Sequence, residues 1–191
     1  MDAAPIIAAL QAAVPGAVYE PGSAADQPTL FVARDRLLDT CRALRDHPAL
    51  RFSVLVDVTA VDWWPREPRF EIVYHLVSAD AATPARLRLK VRLAAEDAHL
   101  PSVQAVWAAA DWLEREVWDL FGVIFDQRDD LRRLMMPDDW EGHPLRKDYP
   151  VQIAMKPKVY EPLQLTAQEF QANIAADGRA RGGPGGGESK R

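Results

Sequence analysis

The most regular pattern in the chain is a period-two alternation that recurs three times between residues 52 and 93. Phe52, Val54, Val56 and Val58 alternate with Ser53, Leu55, Asp57 and Thr59. Both sets contain apolar residues, which predicts a central strand. Phe70, Ile72, Tyr74 and Leu76 alternate with Glu71, Val73, His75 and Val77, and Leu87, Leu89, Val91 and Leu93 with Arg86, Arg88, Lys90 and Arg92. Pro65, Pro68 and Pro84 mark the turns between these runs, so the spacing predicts an antiparallel meander of at least three strands. Thr29 to Val32 reads as a further short strand.

Helical spacing flanks the meander. Ile6 to Val14 predicts a helix stopped by Pro15-Gly16. A second helix is expected from an Asp35 N-cap to about Asp46, with Leu37, Leu38, Cys41 and Leu44 on one face and Pro48 ending it. Pro101 and Ser102 can open a short helix through Trp107. Asp111 can cap another, with Leu113, Val117, Leu120 and Phe121 as its apolar stripe and Gly122 as its C′ residue. Helices before and after a meander imply an α+β layer fold. Beyond Phe125 the periodicity vanishes, and Asp126 to Pro150 holds seven acidic and five basic side chains punctuated by three prolines. Thr166-x-x-Glu169 has capping-box form. From Gly178 onward the chain is too poor in apolar residues to offset its ordering entropy. The expected organisation is a globular domain over 1–125, a long extended segment with a short helix over 126–177, and a disordered tail over 178–191.

Composition narrows the possible functions. The chain has 191 residues, 48% hydrophobic and 27% charged, with a formal net charge of -5. Mild acidity argues against nucleic acid or anionic lipid as the main partner. The basic stripe Arg86, Arg88, Lys90 and Arg92 reads as the wet face of a strand paired to acids such as Glu71. The single cysteine, Cys41, reads as a small buried hydrophobe and supplies no disulfide or thiolate cluster by itself. The N-terminus lacks the basic region of a signal peptide, and no apolar run approaches the roughly 20 residues needed to cross a bilayer.

Candidate chemistry collects between residues 111 and 148. Asp111, Glu114, Glu116 and Asp119 share one predicted helix, but no Glu-x-x-His pair accompanies them, so helix or partner salt bridges outweigh metal binding. Asp111 and Arg115 stand at i, i+4 in the favourable order. Asp138, Asp139, Glu141 and His143 have the right atoms for a metal-dependent hydrolase. They are nearly consecutive, however, and Arg146 and Lys147 would compete for the carboxylates. No Gly-rich nucleotide loop, nucleophile elbow or Cys-x-x-Cys is present. An interaction reading accounts for more: Trp107, Trp112, Trp118 and Trp140 crowd this region, and Trp and Arg are enriched at binding hot spots. An extended ribbon over 126–150 would reach roughly 80 Å, enough to lie across another protein.

Two long motifs carry a resemblance. Glu114-Arg115-Glu116-Val117-Trp118-Asp119-Leu120-Phe121-Gly122-Val123-Ile124-Phe125 is closely similar to a signature of the C-type subunit of NADH–quinone oxidoreductase, the thirty-kilodalton subunit of respiratory complex I. So is the run from Asp130-Leu131-Arg132-Arg133 through Trp140-Glu141-Gly142-His143-Pro144-Leu145-Arg146-Lys147-Asp148-Tyr149-Pro150. Val61-Asp62, Tyr74-His75-Leu76, Val159-Tyr160-Glu161-Pro162 and Gln168-Glu169-Phe170 extend it. The family usually has His-Pro where this chain has Arg128-Asp129. The resemblance implies a subunit without catalytic residues, flavin, iron–sulfur cluster or metal, the cofactors lying in partner subunits. It implies a C-terminal part that wraps the complex's D-type subunit near its B-type subunit, in a translocase that carries electrons from NADH to quinone. It places the chain peripherally on the cytoplasmic face of the bacterial inner membrane. The implied partner interface comprises Glu114, Arg115, Glu116, Trp118, Asp119, Phe121, Arg132, Arg133, Trp140, His143, Arg146, Lys147, Asp148 and Tyr149. An equivalent subunit of a membrane-bound hydrogenase or another quinone reductase is the near alternative.

Overall fold

A computed structural model describes residues 3–23, 26–78, 84–128, 130, 132–150 and 166–181. The N-terminal helix α1 spans Ala3–Ala13, and strands β1 (Tyr19–Gly22) and β2 (Thr29–Val32) follow as an antiparallel pair. Helix α2 (Leu37–Asp46) leads into the meander of β3 (Val54–Asp62), β4 (Phe70–Ser78) and β5 (Ala85–Leu93), antiparallel throughout. Short strand β6 (His99–Pro101), helix α3 (Ala110–Phe121) and strand β7 (Ile124–Asp126) complete the body, with β6 and β7 paired in parallel. The five-stranded sheet runs β1-β2-β5-β4-β3, and its one parallel pairing joins β2 to β5.

The α+β reading and the meander both hold. The strand expected to be central, β3, instead lies at the sheet edge. A bulge between Leu55 and Asp57 explains the difference. One extra residue reverses the alternation, so Leu55 is buried before the bulge and Val58 and Ala60 after it, while Val54 and Val56 stay exposed. Apolar residues therefore fall in both sets although only one face is covered.

Core residues follow from the alternation. Leu87, Leu89 and Val91 are fully buried with Ile72, Tyr74 and Leu30, beneath Ile6 and Leu10 of α1 and Leu37, Cys41 and Leu44 of α2. Burial contributes roughly 1.5–3 kcal/mol for each such aliphatic side chain. Burial also pushes the Cys41 thiol far up. The opposite sheet face carries the basic stripe, three of whose four cations are paired within the chain. Lys90 pairs with Glu71 at 2.6 Å, Arg88 with Asp26 at 2.8 Å, and Arg92 with Glu20 at 3.2 Å while its guanidinium lies over Phe31.

Three expected starts of helices differ. Asp35 lies inside a 3-10 turn (Arg34–Arg36) that precedes α2, and its side chain does not cap the helix. Residues after Pro101 make a single turn rather than a helix, with Trp107 N–H donating to the Val103 carbonyl. Asp111 lies in the first turn of α3, after Ala109 at the N-cap. The described residues up to Pro150 form one compact unit, and the described residues beyond it belong to a second. In the second, α4 (Ala167–Arg181) opens with the expected capping box: the Glu169 N–H donates to Thr166 Oγ1, and the Thr166 N–H to Glu169 Oε2. This helix covers 178–181 of the expected tail; residues 182–191, and residues 151–165 with the Val159–Pro162 motif, lie outside the described residues.

Candidate functional site

The site is built around α3. Its apolar stripe works as expected, with Val117 and Phe121 buried against the sheet. Two carboxylates on the same helix are also fully buried, Glu114 and Asp119. Such burial is tolerable only where hydrogen bonds and cations replace water.

Glu114 serves the N-terminal half. Its carboxylate accepts from Ser102 Oγ at 2.7 Å, the Val103 N–H at 2.7 Å and Arg128 Nη1 at 3.3 Å. Arg128 also donates to Asp111 at 2.8 Å and to the Ala110 carbonyl. The expected Asp111–Arg115 pair is replaced: Arg128 takes Asp111, and Arg115 donates to the Arg133 carbonyl at 2.9 Å and lies against Trp112. Burial pushes the Glu114 carboxyl above its usual range, with Ser102, the Val103 amide and Arg128 offsetting only part.

Asp119 serves the C-terminal half. One of its oxygens accepts three consecutive backbone N–H groups, those of Leu134, Met135 and Met136, at 2.7–2.9 Å, and the other accepts Arg133 at 2.8 Å. Burial alone would raise this carboxyl, but the Met136 amide, Arg133 and the other two amides outweigh it and hold it below the usual range. Just beyond, Gly122 ends the helix at φ 72°, in the left-handed region. A Cβ there would collide with the His143 ring at Cδ2 and with Arg146 Nη2.

Those neighbours cap the helix. A helix end leaves carbonyls without partners and carries partial negative charge. His143 Nδ1 donates to the Asp119 carbonyl at 2.9 Å and the Leu145 N–H to that of Leu120 at 3.0 Å. Arg146 donates to the carbonyls of Phe121 and Gly122. The His143 ring meets Trp118 edge-on, and burial pushes its imidazole below the usual value.

A third joint lies where β3 ends and β4 begins. Arg69 donates twice to Asp62 (2.9 and 2.8 Å) and twice to Asp148 (2.9 and 2.6 Å). Asp62 also accepts the backbone N–H groups of Lys147 and Trp64. Burial would raise Asp62, but Arg69 and these amides hold it at about 2.

Residues 132–150 therefore run along the surface of their own body, and the compact unit continues to Pro150. The implied interface residues divide accordingly. Glu114, Asp119 and Phe121 are buried within the chain. Arg115, Arg133, His143 and Arg146 are half-buried and committed to internal partners. Glu116, Trp118, Trp140 and Tyr149 are half-buried, while Arg132, Lys147 and Asp148 are exposed. Arg132 pairs with Asp130, and Tyr149 donates to the Glu141 carbonyl. Asp138, Asp139 and Glu141 are exposed, and among the described residues no three His, Cys, Asp or Glu side chains converge as a metal site. Sequence reasoning missed Arg69 and Arg128. The β3–β4 turn brings Arg69 beside Asp62, seven residues earlier, but its second partner, Asp148, lies far along the chain.

The fold and this site define a class: a two-layer α+β domain whose buried charges fasten a polar C-terminal strap to one helix. The chain belongs to the family of the respiratory-chain NADH dehydrogenase 30 Kd subunit, whose sequence model matches residues 30–154. It is 42% identical over 151 residues to the C-type subunit of NADH-quinone oxidoreductase from Roseiflexus sp. (strain RS-1), covering 79% of this chain and 86% of that one. It is 50% identical over 124 residues to the same subunit from Saccharopolyspora erythraea, where the match spans 64% of this chain and 49% of that relative's length. Among solved structures it resembles a trypsin-resistant fragment of Nqo5, with 31% identity, TM-score 0.51, and coverage of 67% of this chain and 98% of the fragment. A chain of an archaeal membrane-bound sulfane sulfur reductase shares the fold at TM-score 0.62, with 22% identity and coverage of 98% and 96%.

Proposed function

We propose that this chain is a structural subunit, itself without cofactor, in the peripheral arm of a proton-translocating NADH–quinone oxidoreductase. It braces the quinone-site neighbours, the D-type subunit chiefly and the B-type subunit, while electrons pass from NADH to quinone in other chains. The complex lies at the cytoplasmic face of the cell membrane, and this chain reaches the membrane through its partners; no described helix is long and apolar enough to cross one. The observation that carries this reading is how the strap is held. Arg133, His143, Arg146 and several backbone amides of the strap turn inward onto Asp119, Asp62 and the end of α3, whereas two large apolar side chains, Met135 (59% exposed) and Leu145 (51%), stay on the outside with Arg132, Asp138, Asp139, Glu141 and Lys147. Trp112, Trp63 and Trp64 add exposed aromatic surface nearby in sequence to these anchors. Large exposed apolar side chains on a fixed scaffold suit a protein interface. Family membership supports this choice of assembly. Within the implied interface, Glu114, Asp119 and Phe121 shape the surface from below, and Glu116, Trp118, Arg132, Trp140, Lys147, Asp148 and Tyr149 are the contact candidates.

Co-expression with the cognate D-type subunit and affinity capture of this chain tests the proposal. The unmodified chain is expected to retain that neighbour through purification. The double variant Met135→Asp, Leu145→Asp is expected to lose at least tenfold of it without a change in melting temperature. Equal recovery of the neighbour by both would overturn the assignment of the strap as the contact surface.

A further inference from the structure

The strap is joined to the body by a different kind of contact from those that hold the body together. The hydrophobic core and the half-buried apolar residues against it draw from the helices, strands and connecting turns of the body, and end at Phe125; among the described residues none lies between 126 and 150. Every described hydrogen bond and ion pair from the strap to the body fits this division. Asp119 takes three amides and Arg133, the last turn of α3 takes His143, Leu145 and Arg146, and the Asp62–Arg69 pair takes Asp148 and the Lys147 amide. Arg133 and Arg146 add cation–π contacts to Trp118 and Phe70.

The strap is also tied to itself. Arg133 Nη2 donates to the carbonyls of Trp140 (2.7 Å) and Gly142 (3.0 Å), drawing its two halves together. Tyr149 donates to the Glu141 carbonyl, and its ring fills the space above Gly142, where a Cβ would lie 2.8 Å from it. Internal ties favour moving together. Polar joints favour separability, because water can replace each hydrogen bond on opening, whereas exposure of apolar core area has no such compensation.

We propose that residues 132–150 are a latch: they close on the finished body as one cooperative unit and can be released as one unit while the sheet and its helices stay folded. Local opening in contiguous units is a general property of proteins, and segments with few buried apolar contacts open first. The latch rests on the reading of the strap as the partner-facing element, and would let it be laid against a neighbour without unfolding the domain. Its mechanics are a property of the free chain, so its test does not depend on any partner.

Native-state amide hydrogen exchange on the full 191-residue chain tests this. The amides of Leu134, Met135 and Met136 at one end and of Leu145 and Lys147 at the other are expected to share one opening constant. It should be larger than that of the β4–β5 amides of Ile72, Tyr74 and Leu89. Asp148→Asn, at an exposed position, removes one side of the Arg69 joint and is expected to speed exchange at both ends by a common factor of about ten. The β4–β5 amides should not change. Arg69→Lys, which keeps the charge but loses the double fork, gives the same test from the body side. Acceleration confined to Leu145 and Lys147 would show two independent loops and overturn the single unit. Acceleration that includes the β4–β5 amides would show that the strap is part of the core, and would equally overturn the latch.

Discussion

Glu114 and Arg128 illustrate how a buried charge is settled residue by residue. The carboxylate is fully buried, and the Arg128 side chain is only 2% exposed. Removing one member of such a pair strands the other, which generally costs about 3–5 kcal/mol, more than a surface pair is worth. Glu114→Ala would leave the Val103 amide, Ser102 Oγ and one side of Arg128 without their acceptor. Its expected cost is about 3 kcal/mol, read as a lower urea midpoint with an unchanged m-value. A loss under about 1 kcal/mol, the range of exposed pairs, would show that water enters and replaces the carboxylate. Arg128 reaches Asp111, Glu114 and the Ala110 carbonyl at once, so it ties the start of the strap to the start of α3.

At the scale of elements, α3 is the hub. Its apolar stripe faces the sheet, its two buried carboxylates organise the segments on either side of it, and its last carbonyls receive the strap. Gly122 holds that end at a φ that L side chains adopt with strain, and no Cβ fits beside His143 and Arg146. Gly122→Ala is therefore expected to destabilise by at least about 2 kcal/mol. The His143 ring resonances should also move, because the imidazole must leave the Asp119 carbonyl; unchanged His143 shifts would show that the backbone adjusts instead. Much of this element level was legible in the sequence. The meander, the stripe of α3 and the C′ glycine follow from periods of two and about 3.6 and from one glycine, all of them local signals. The position of β3 was not legible, because a bulge imitates a strand apolar on both faces. Nor was the inward turn of Glu114 and Asp119. A carboxylate on a helix reads as solvent-facing unless the amides that bury it are already known, and here they come from residues 103 and 134–136.

For the molecule as a whole, Arg69 is the most distant joint, connecting the start of β4 to the end of the strap. The folded-state value of Asp62, about 2, lies below the ordinary carboxylate value of about 4. A group depressed in this way contributes its full stability above the unfolded value and loses it as pH falls through the folded one. The joint is therefore expected to hold through mildly acid conditions and to fail between about pH 4 and pH 2. The Lys147 amide, which donates to Asp62, should titrate with a midpoint near 2. A midpoint near 4 would mean that the Arg69 joint is open in solution.

The single parallel pairing in the sheet has its own consequence. Leu30 of β2 lies beside Leu89 of β5, while the meander that supplies β5 is entirely local. As the polypeptide leaves the ribosome, the first hairpin and α2 emerge long before the strand that receives them. Their apolar residues must then wait uncovered until β5 is made. Pairing of distant segments closes a long loop and is slow. The stretch from α1 through α2 is accordingly the one on which a nascent-chain chaperone has the most time to act.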